Sequence, residues 1–300
     1  MLTVSPIKPP LPLTLASNRQ IQPLDNEHRA EVLSFLAARP LHTFIMTSWI
    51  QDNGLASSFN RGTFYGCRNA EDQLEGVALV GHITLFETKS DAALTAFANL
   101  AQSCASPHAV LDEGKKISRF KRDYTTNGGA PPRLVCRELL LEKRIVENIS
   151  LVQSLRPARL EELELIVPIH AQTAFEESGV NPLEMDPSGF RERCARRIKQ
   201  GRTWVAIEDG RLKFKTDIVS DTPNVVYLEG VYVSTEHRGN GYGAKCMTQL
   251  TNHLLERTKS VCLLVNQKNS AAQASYRKAG YEFREYYDTL YLQQPSPIGN

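Results

Sequence analysis

The sequence predicts a mixed α+β protein of two domains, and three observations carry that prediction. Its 300 residues exceed one ordinary core, at about 150 residues per domain. Residues 225–233 read as a strand of β-branched and aromatic residues. That strand runs through a short turn into Arg238-Gly239-Asn240-Gly241-Tyr242-Gly243, after which Ala244, Met247, Leu250 and Leu254 recur on one helical face. Finally, the first half reads helix, helix, strand, strand, helix, strand, helix, strand, and the second half repeats that order.

Taken in order, residues 1–18, with Pro6, Pro9, Pro10 and Pro12, carry no helix signal and read as an extended tail. A helix over 26–38 ends before Pro40, because the residue preceding proline is disfavoured in helix. A second apolar piece spans 41–50. Strands over 63–67 and 76–86 flank the polar turn 68–73. A helix over 91–102, a strand over 108–111, a helix over 116–124, the glycine- and proline-bearing loop 125–132 and a strand over 134–145 complete a domain at 19–150.

The second domain, 151–293, opens with a strand over 151–155. A helix from Arg159 meets Pro168, which kinks it or starts a new segment ending near Gly179. Asp186 before Pro187 marks an N-cap for a helix running to Gln200. Strands over 203–207 and 211–219 are joined by the hairpin pair Asp209-Gly210. After the glycine loop and its helix come a strand over 260–265, a helix over 270–279 capped by Ser270 and ended by Gly280, and a strand over 281–292. Residues 294–300 read as a tail.

Composition excludes several classes. A net charge of +2 with 23% charged residues leaves no basic surplus for nucleic acid. No apolar run reaches the ~18 residues of a membrane span, and the N-terminus lacks the apolar stretch of a signal peptide. The six cysteines form no C-x-x-C pair, so they read as reduced thiols rather than a disulfide framework or a zinc site. The expectation is a cytoplasmic protein without metal, nucleic-acid or membrane partner, a monomer or a homodimer.

The glycine loop carries the chemistry. Alternate glycines let backbone approach a ligand closely, the first-turn amides of the following helix lack internal partners, and a helix N-terminus favours phosphate. Arg238 adds a cation whose fork suits phosphate oxygens. No G-x-x-x-x-G-K-[ST] string occurs. The glycines at 239, 241 and 243 are too closely spaced for the dinucleotide pattern G-x-G-x-x-G.

The run does match R/Q-x-x-G-x-G/A, the acyl-coenzyme A loop. Val231-x-Val233 precedes it, and Asn269, Ala272, Tyr276, Gly280 and Tyr281 follow as N-x-x-A-x-x-x-Y and G-[FY]. Leu155-Arg156-Pro157-Ala158-Arg159 with Glu162-Leu163 looks like the usual opening of such domains. On these residues the sequence resembles the GNAT superfamily of N-acetyltransferases over about 153–292. The first half looks like the extra N-terminal domain of a two-domain bacterial type, readable as a degenerate copy that lacks the loop, since Glu87-Thr88-Lys89-Ser90 stands in its place.

The resemblance implies a central, mostly antiparallel, splayed sheet flanked by helices, with acetyl-coenzyme A as donor and an amine as acceptor. It places the pyrophosphate on Arg238, Gly239, Asn240, Gly241, Tyr242, Gly243 and Ala244. It places the pantetheine arm on Val231, Tyr232, Val233, Asn269 and Ala272. Tyr276 becomes the acid for the departing thiolate, and a backbone N–H near Val231 the oxyanion donor. Glu229, two residues before Val231, is a base or a holder of a cationic substrate, with Glu176 and Glu177 as rivals. Alternation puts Glu229 on the face of Val231 and Val233. Against these readings, His170 reads as a core histidine and His237 as loop surface. A different class stays open: an acyl-CoA-binding sensor or pseudoenzyme with a regulatory N-terminal domain. A nucleotide-dependent oxidoreductase is disfavoured by the glycine spacing.

Overall fold

The computed structural model describes residues 13–14, 20–104, 107–148 and 150–293. Apart from Leu13–Thr14, the tail expected at 1–18 lies outside the described residues or, for 294–300, wholly so. The chain divides into two units, one running to Cys136 and resuming at Asp288, the other Arg137–Tyr287.

The first unit holds β1 (Leu13–Thr14), β2 (Gln20–Pro23), α1 (Arg29–Leu36), α2 (Pro40–Asn53), β3 (Gly62–Arg68), β4 (Leu74–Gly81), β5 (Ile83–Thr88), α3 (Asp91–Ala101), β6 (Ala109–Glu113) and α4 (Gly114–Thr126). Strand β7 (Leu134–Lys143) enters the second unit at Arg137. There follow β8 (Leu155–Pro157), α5 (Leu163–Ser178), α6 (Pro182–Met185), α7 (Pro187–Lys199), β9 (Thr203–Glu208), β10 (Arg211–Asp221), β11 (Val226–Val233), α8 (Tyr242–Leu255), β12 (Val261–Asn266), α9 (Ser270–Lys278) and β13 (Glu282–Tyr291). No helix of the described residues is long and apolar enough to cross a membrane.

Each unit is an α+β sheet with helices against it, and the order of α-helices and strands, from β2 and from β8 onward, is the same in both apart from the short α6, which has no counterpart in the first. Strands β2 to β6 lie side by side in the first unit, and β8 to β12 in the second. Pairing is antiparallel except between β5 and β6 and between β11 and β12. The sixth strands are exchanged. Strand β7, which follows α4, pairs along β12 from Val261↔Lys143 to Asn266↔Glu138, and it places Leu139 and Leu141 in the second unit's core. The end of β13 places Leu290 and Leu292 in the first unit's core, where the Leu292 N–H donates to the His108 carbonyl.

In the second unit the sheet is covered on two faces. Met247, Leu250 and Leu254 of α8 pack on Phe214, Val226, Leu228 and Leu263. Ile166, Phe190, Cys194 and Ile198 of α5 and α7 pack on Val205 and Leu212. Each leucine so buried contributes about 2 kcal/mol.

Several local expectations change. The strand expected over 76–86 is two strands, β4 and β5, turning at Gly81-His82. Gly81 lies so close to the Arg61 carbonyl that a Cβ would sit 2.2 Å from it. β2 was hidden by its short, proline-ended sequence. The strand expected over 151–155 is β8, Leu155–Pro157. Helix α5 runs through Pro168 without ending. The cap of α9 is Asn269, whose side-chain oxygen accepts from the Ala272 N–H at 3.0 Å, not Ser270. Asp186 does cap α7, accepting from the Gly189 N–H at 3.0 Å.

Candidate active site

The site begins where two parallel strands part. β11 pairs with β12 only at Val226, Tyr227 and Leu228. Beyond that point β12 continues against β7 as far as Asn266, while β11 continues against β10 to Val233. A gap therefore opens beside residues 229–233.

A bulge re-aims β11 at the gap. Lys215 faces Tyr232 and Asp217 faces Glu229, so two steps on β10 match three on β11. The extra residue falls at Gly230, which has φ +62°, a left-handed backbone that glycine adopts without strain. The bulge shifts the alternation. Val231 and Val233 pack toward the α8–α9 core, Tyr232 toward the α5–α7 core. Glu229 lies instead with the charged groups on the α5–α7 side, among Arg197, Asp217 and Lys215. The expectation that Glu229 shares a face with Val231 and Val233 is thus corrected: strict alternation fails at a bulge.

The glycine loop caps one end of the gap. Gly239 and Gly241 have φ +78° and +83°, and a Cβ on either would meet nothing within 4 Å. Their need for glycine is conformational, and the space beside them is open. Gly243 differs: a Cβ there would stand 2.8 Å from Val233 Cγ2, so it lets α8 start tight against β11. The Lys245 N–H donates to the Gly241 carbonyl at 3.1 Å, and the amides of Gly243 and Ala244 precede that bond, pointing out of the helix start. Asn240 Oδ1 accepts from the Tyr242 N–H at 3.0 Å and orders the turn. Exposed Arg238 donates from Nε to the Val233 carbonyl at 2.9 Å. His237 bonds Ser234 Oγ at 2.8 Å and packs against the Tyr242 ring.

Tyr276 on α9 is 7% exposed and packs edge-on to Tyr281. Burial, and then the charge of Glu177, raise its phenol pKa, so it keeps its proton. Glu177, near the C-terminal end of α5, is accessible yet crowded by protein. Desolvation, then the charges of Glu229 and Glu138, push its carboxyl up to about 8. Desolvation also raises Glu229, against the opposing pull of Arg197 and Lys215. Three carboxylates from three elements, Glu138 on β7, Glu177 on α5 and Glu229 on β11, therefore share one field. Glu176 points elsewhere, exposed and accepting from Gln172 Nε2 at 2.9 Å.

Behind Glu229 lies a charged cluster that sequence reasoning missed. Lys215 and Asp217 are 0% and 1% exposed. Lys215 Nζ donates to Asp217 Oδ2 and meets His170 Nδ1 at 2.9 Å. Arg197 NH1 lies 3.1 Å from Asp217 Oδ2, and Thr203 Oγ1 donates to Asp217 Oδ1 at 2.7 Å. Burial, reinforced by the charge of Lys215, lowers His170 to about 4. Its ring is neutral near pH 7, and Nδ1 lies between Lys215 Nζ and Asp217 Oδ2, 3.0 Å from the latter. The one sequence signal was the run Lys213-Phe214-Lys215-Thr216-Asp217, which looks like an ordinary exposed hairpin strand. Among the described residues no group of three or more His, Cys, Asp or Glu side chains is placed to hold a metal ion.

The first unit has the same parting of strands but no comparable cradle. β5 pairs with β6 only at Ile83 and Thr84. Glu87 at the end of β5 and Glu113 at the end of β6 are bridged by Arg39, at 3.1 and 2.8 Å, and by Lys116, at 2.9 and 3.2 Å. Only Lys89 and Ser90 separate β5 from α3, with Ser90 as cap.

A splayed sheet with a glycine loop and helix at the split defines an acyltransferase-type fold, and comparison with known proteins agrees. Residues 169–281, within the second unit, match the model of the acetyltransferase (GNAT) family. Among solved structures it is similar to a Drosophila protein (13% identity over 91% of this chain and 98% of that one, TM-score 0.67). It is also similar to an acetyltransferase from the GNAT family from Colwellia psychrerythraea (15% identity, 91% and 99% covered, TM-score 0.55). A tandem GNAT protein from the clavulanic acid biosynthesis pathway shares the fold over 93% of this chain and 100% of its own length (12% identity, TM-score 0.56). At such identities the likeness establishes the fold, in both units. No curated protein matches the chain.

Proposed function

We propose that the second unit transfers an acetyl group from acetyl-coenzyme A to a primary amine by direct attack within a ternary complex. The observation that carries this reading is the parting of β11 from β12 after Leu228 beside an open glycine loop. A narrow acyl-pantetheine arm fits such a gap while its pyrophosphate meets the amides of 239–244 and Arg238. Val231, Tyr232 and Val233 offer backbone groups along the arm. Ala272 leaves room for it, and Asn269, its oxygen used as a cap, presents its NH2 group.

The acceptor nitrogen attacks the thioester carbon, and the carbonyl electrons move to the oxygen, to which the Val231 N–H donates a hydrogen bond. As the C–S bond breaks, Tyr276 gives its proton to the leaving sulfur; its raised pKa keeps that proton available until then. The amine proton passes to Glu229, directly or through water. Desolvation raises the Glu229 pKa, which makes it a stronger base than an ordinary carboxylate and suits that role. The charges of Glu229 and Glu138, which help keep Glu177 protonated, attract an ammonium group to the gap before it reacts, which supports an amine, rather than an alcohol, as acceptor.

Thiol release from acetyl-coenzyme A, screened over diamines, amino acids and peptides, tests the reading. Tyr276→Phe should lower kcat about 10²-fold with donor KM unchanged, and Arg238→Ala should raise donor KM about 10-fold, as expected for a lost charge-assisted contact. No release with any amine, despite tight donor binding, would reject transfer and leave an acyl-coenzyme A binder.

A further inference from the structure

The buried cluster around Lys215 has no direct part in the steps above, yet it lies against the one backbone segment those steps depend on. Lys215 Nζ carries three N–H donors and no acceptor. Asp217 Oδ2 accepts one of them, His170 Nδ1 lies 2.9 Å from Nζ and 3.0 Å from Asp217 Oδ2, and the Gly230 carbonyl faces Nζ at 3.5 Å. A Cβ on Gly230 would stand 3.0 Å from Nζ and 3.5 Å from Asp217 Oδ2, so the ammonium is seated directly against the bulge. The bulge is held a second time, because Thr216 Oγ1 donates to the Glu229 carbonyl at 3.1 Å.

A trans peptide points its C=O and its N–H in opposite directions. A Gly230 carbonyl turned toward Lys215 therefore turns the Val231 N–H away from the cluster, toward the side that β12 has vacated. We infer that Lys215, seated on Asp217, His170 and Arg197, is the positioning residue that aims the Val231 N–H at the thioester carbonyl. This rests on the acetyl-transfer reading of the same site.

The charge arithmetic explains why the device can be buried. Lys215 and Arg197 bring two positive charges, and Asp217 one negative. The neutral His170 adds no charge, and Glu229 at the rim supplies the second negative charge. A lone buried ammonium would be costly, whereas here each of its donors faces an oxygen or nitrogen. A methionine in its place would fill similar volume but would neither hold the carbonyl nor balance Asp217. The double change Lys215→Met/Asp217→Asn keeps the charge balance of the pocket and guards against simple misfolding.

The experiment uses the full chain with acetyl-coenzyme A labelled with 13C at the thioester carbonyl. Infrared difference spectra of the bound donor read the hydrogen bond to that carbonyl without requiring turnover. The wild-type chain should shift the carbonyl band to lower frequency. Lys215→Met and Lys215→Met/Asp217→Asn should return it toward the free value, with donor Kd changed less than threefold and kcat lowered about 10²-fold, the cost of a misplaced oxyanion donor. Lys215→Arg should recover part of both. A folded variant that keeps the wild-type band position and kcat overturns the assignment of Lys215. A wild-type chain that binds no donor rejects the acetyl-transfer reading itself, so the two failures are told apart.

Discussion

Glu177 illustrates how a single carboxyl reports on its surroundings. Its pKa of about 8, against an ordinary 4.5, means that the folded chain binds a proton there over a range in which the unfolded chain does not. Stability then falls as pH rises from about 4.5 to about 8, because the slope follows the difference in bound protons. Glu177→Gln removes the titration. It should leave Tm unchanged near pH 4.5 and raise it by about 2 °C near pH 8, a modest figure because the group is accessible to solvent and its field is screened. Thermal melts at several pH values check this. A Tm difference independent of pH would show that Glu177 is not held protonated by desolvation and the charges of Glu229 and Glu138.

At the scale of elements, the glycine loop shows which parts of the site a sequence can reveal. The run Arg238–Gly243 is local: alternate glycines imply positive φ, and Gly239 and Gly241 have it. Gly241→Ala should therefore lower Tm by roughly 2–6 °C through backbone strain alone and weaken coenzyme A binding in calorimetry. An unstrained, tight-binding alanine variant would contradict the conformational account. The bulge at Gly230 was not legible, because register shifts depend on the partner strand, here at Lys215 and Asp217 on the neighbouring β10. The same holds for Lys215 and Asp217. Their alternation fits an exposed hairpin strand, and only the packing of α5 and α7 over them, which brings His170 and Arg197, makes them a buried cluster. The turn at Gly81-His82 was missed for a related reason: 76–86 is apolar throughout, and what bends it is the close approach of the Arg61 carbonyl.

On the scale of the whole molecule, the repeated order of elements was readable, whereas the exchange of sixth strands was not. Nothing in the apolar pattern of 134–143 says which neighbour it will choose. The exchange makes the unit limits differ from a simple cut between halves. A chain beginning at residue 151 lacks β7, and with it Leu139, Leu141 and the whole edge of β12 from Val261 to Asn266. Such a chain should show no cooperative thermal transition and should aggregate through the bare strand edge. A chain beginning at residue 134 should recover a cooperative melt. Circular dichroism and gel filtration separate the outcomes, and cooperative melting of the 151–300 fragment would show that β7 is dispensable.

The exchanged strands also set a timetable for synthesis. The first unit's helices and strands β2 to β6 leave the ribosome early, yet the strand carrying Leu290 and Leu292 that completes their core follows only after the second unit. About 150 residues separate the two, so at ~5–20 residues per second the nascent sheet stays open for roughly ten seconds or more. During that interval β6 offers an unpaired edge to any passing strand. The half made first is thus finished last, and neither half can be inherited, lost or shuffled as a free-standing module without leaving the other one strand short.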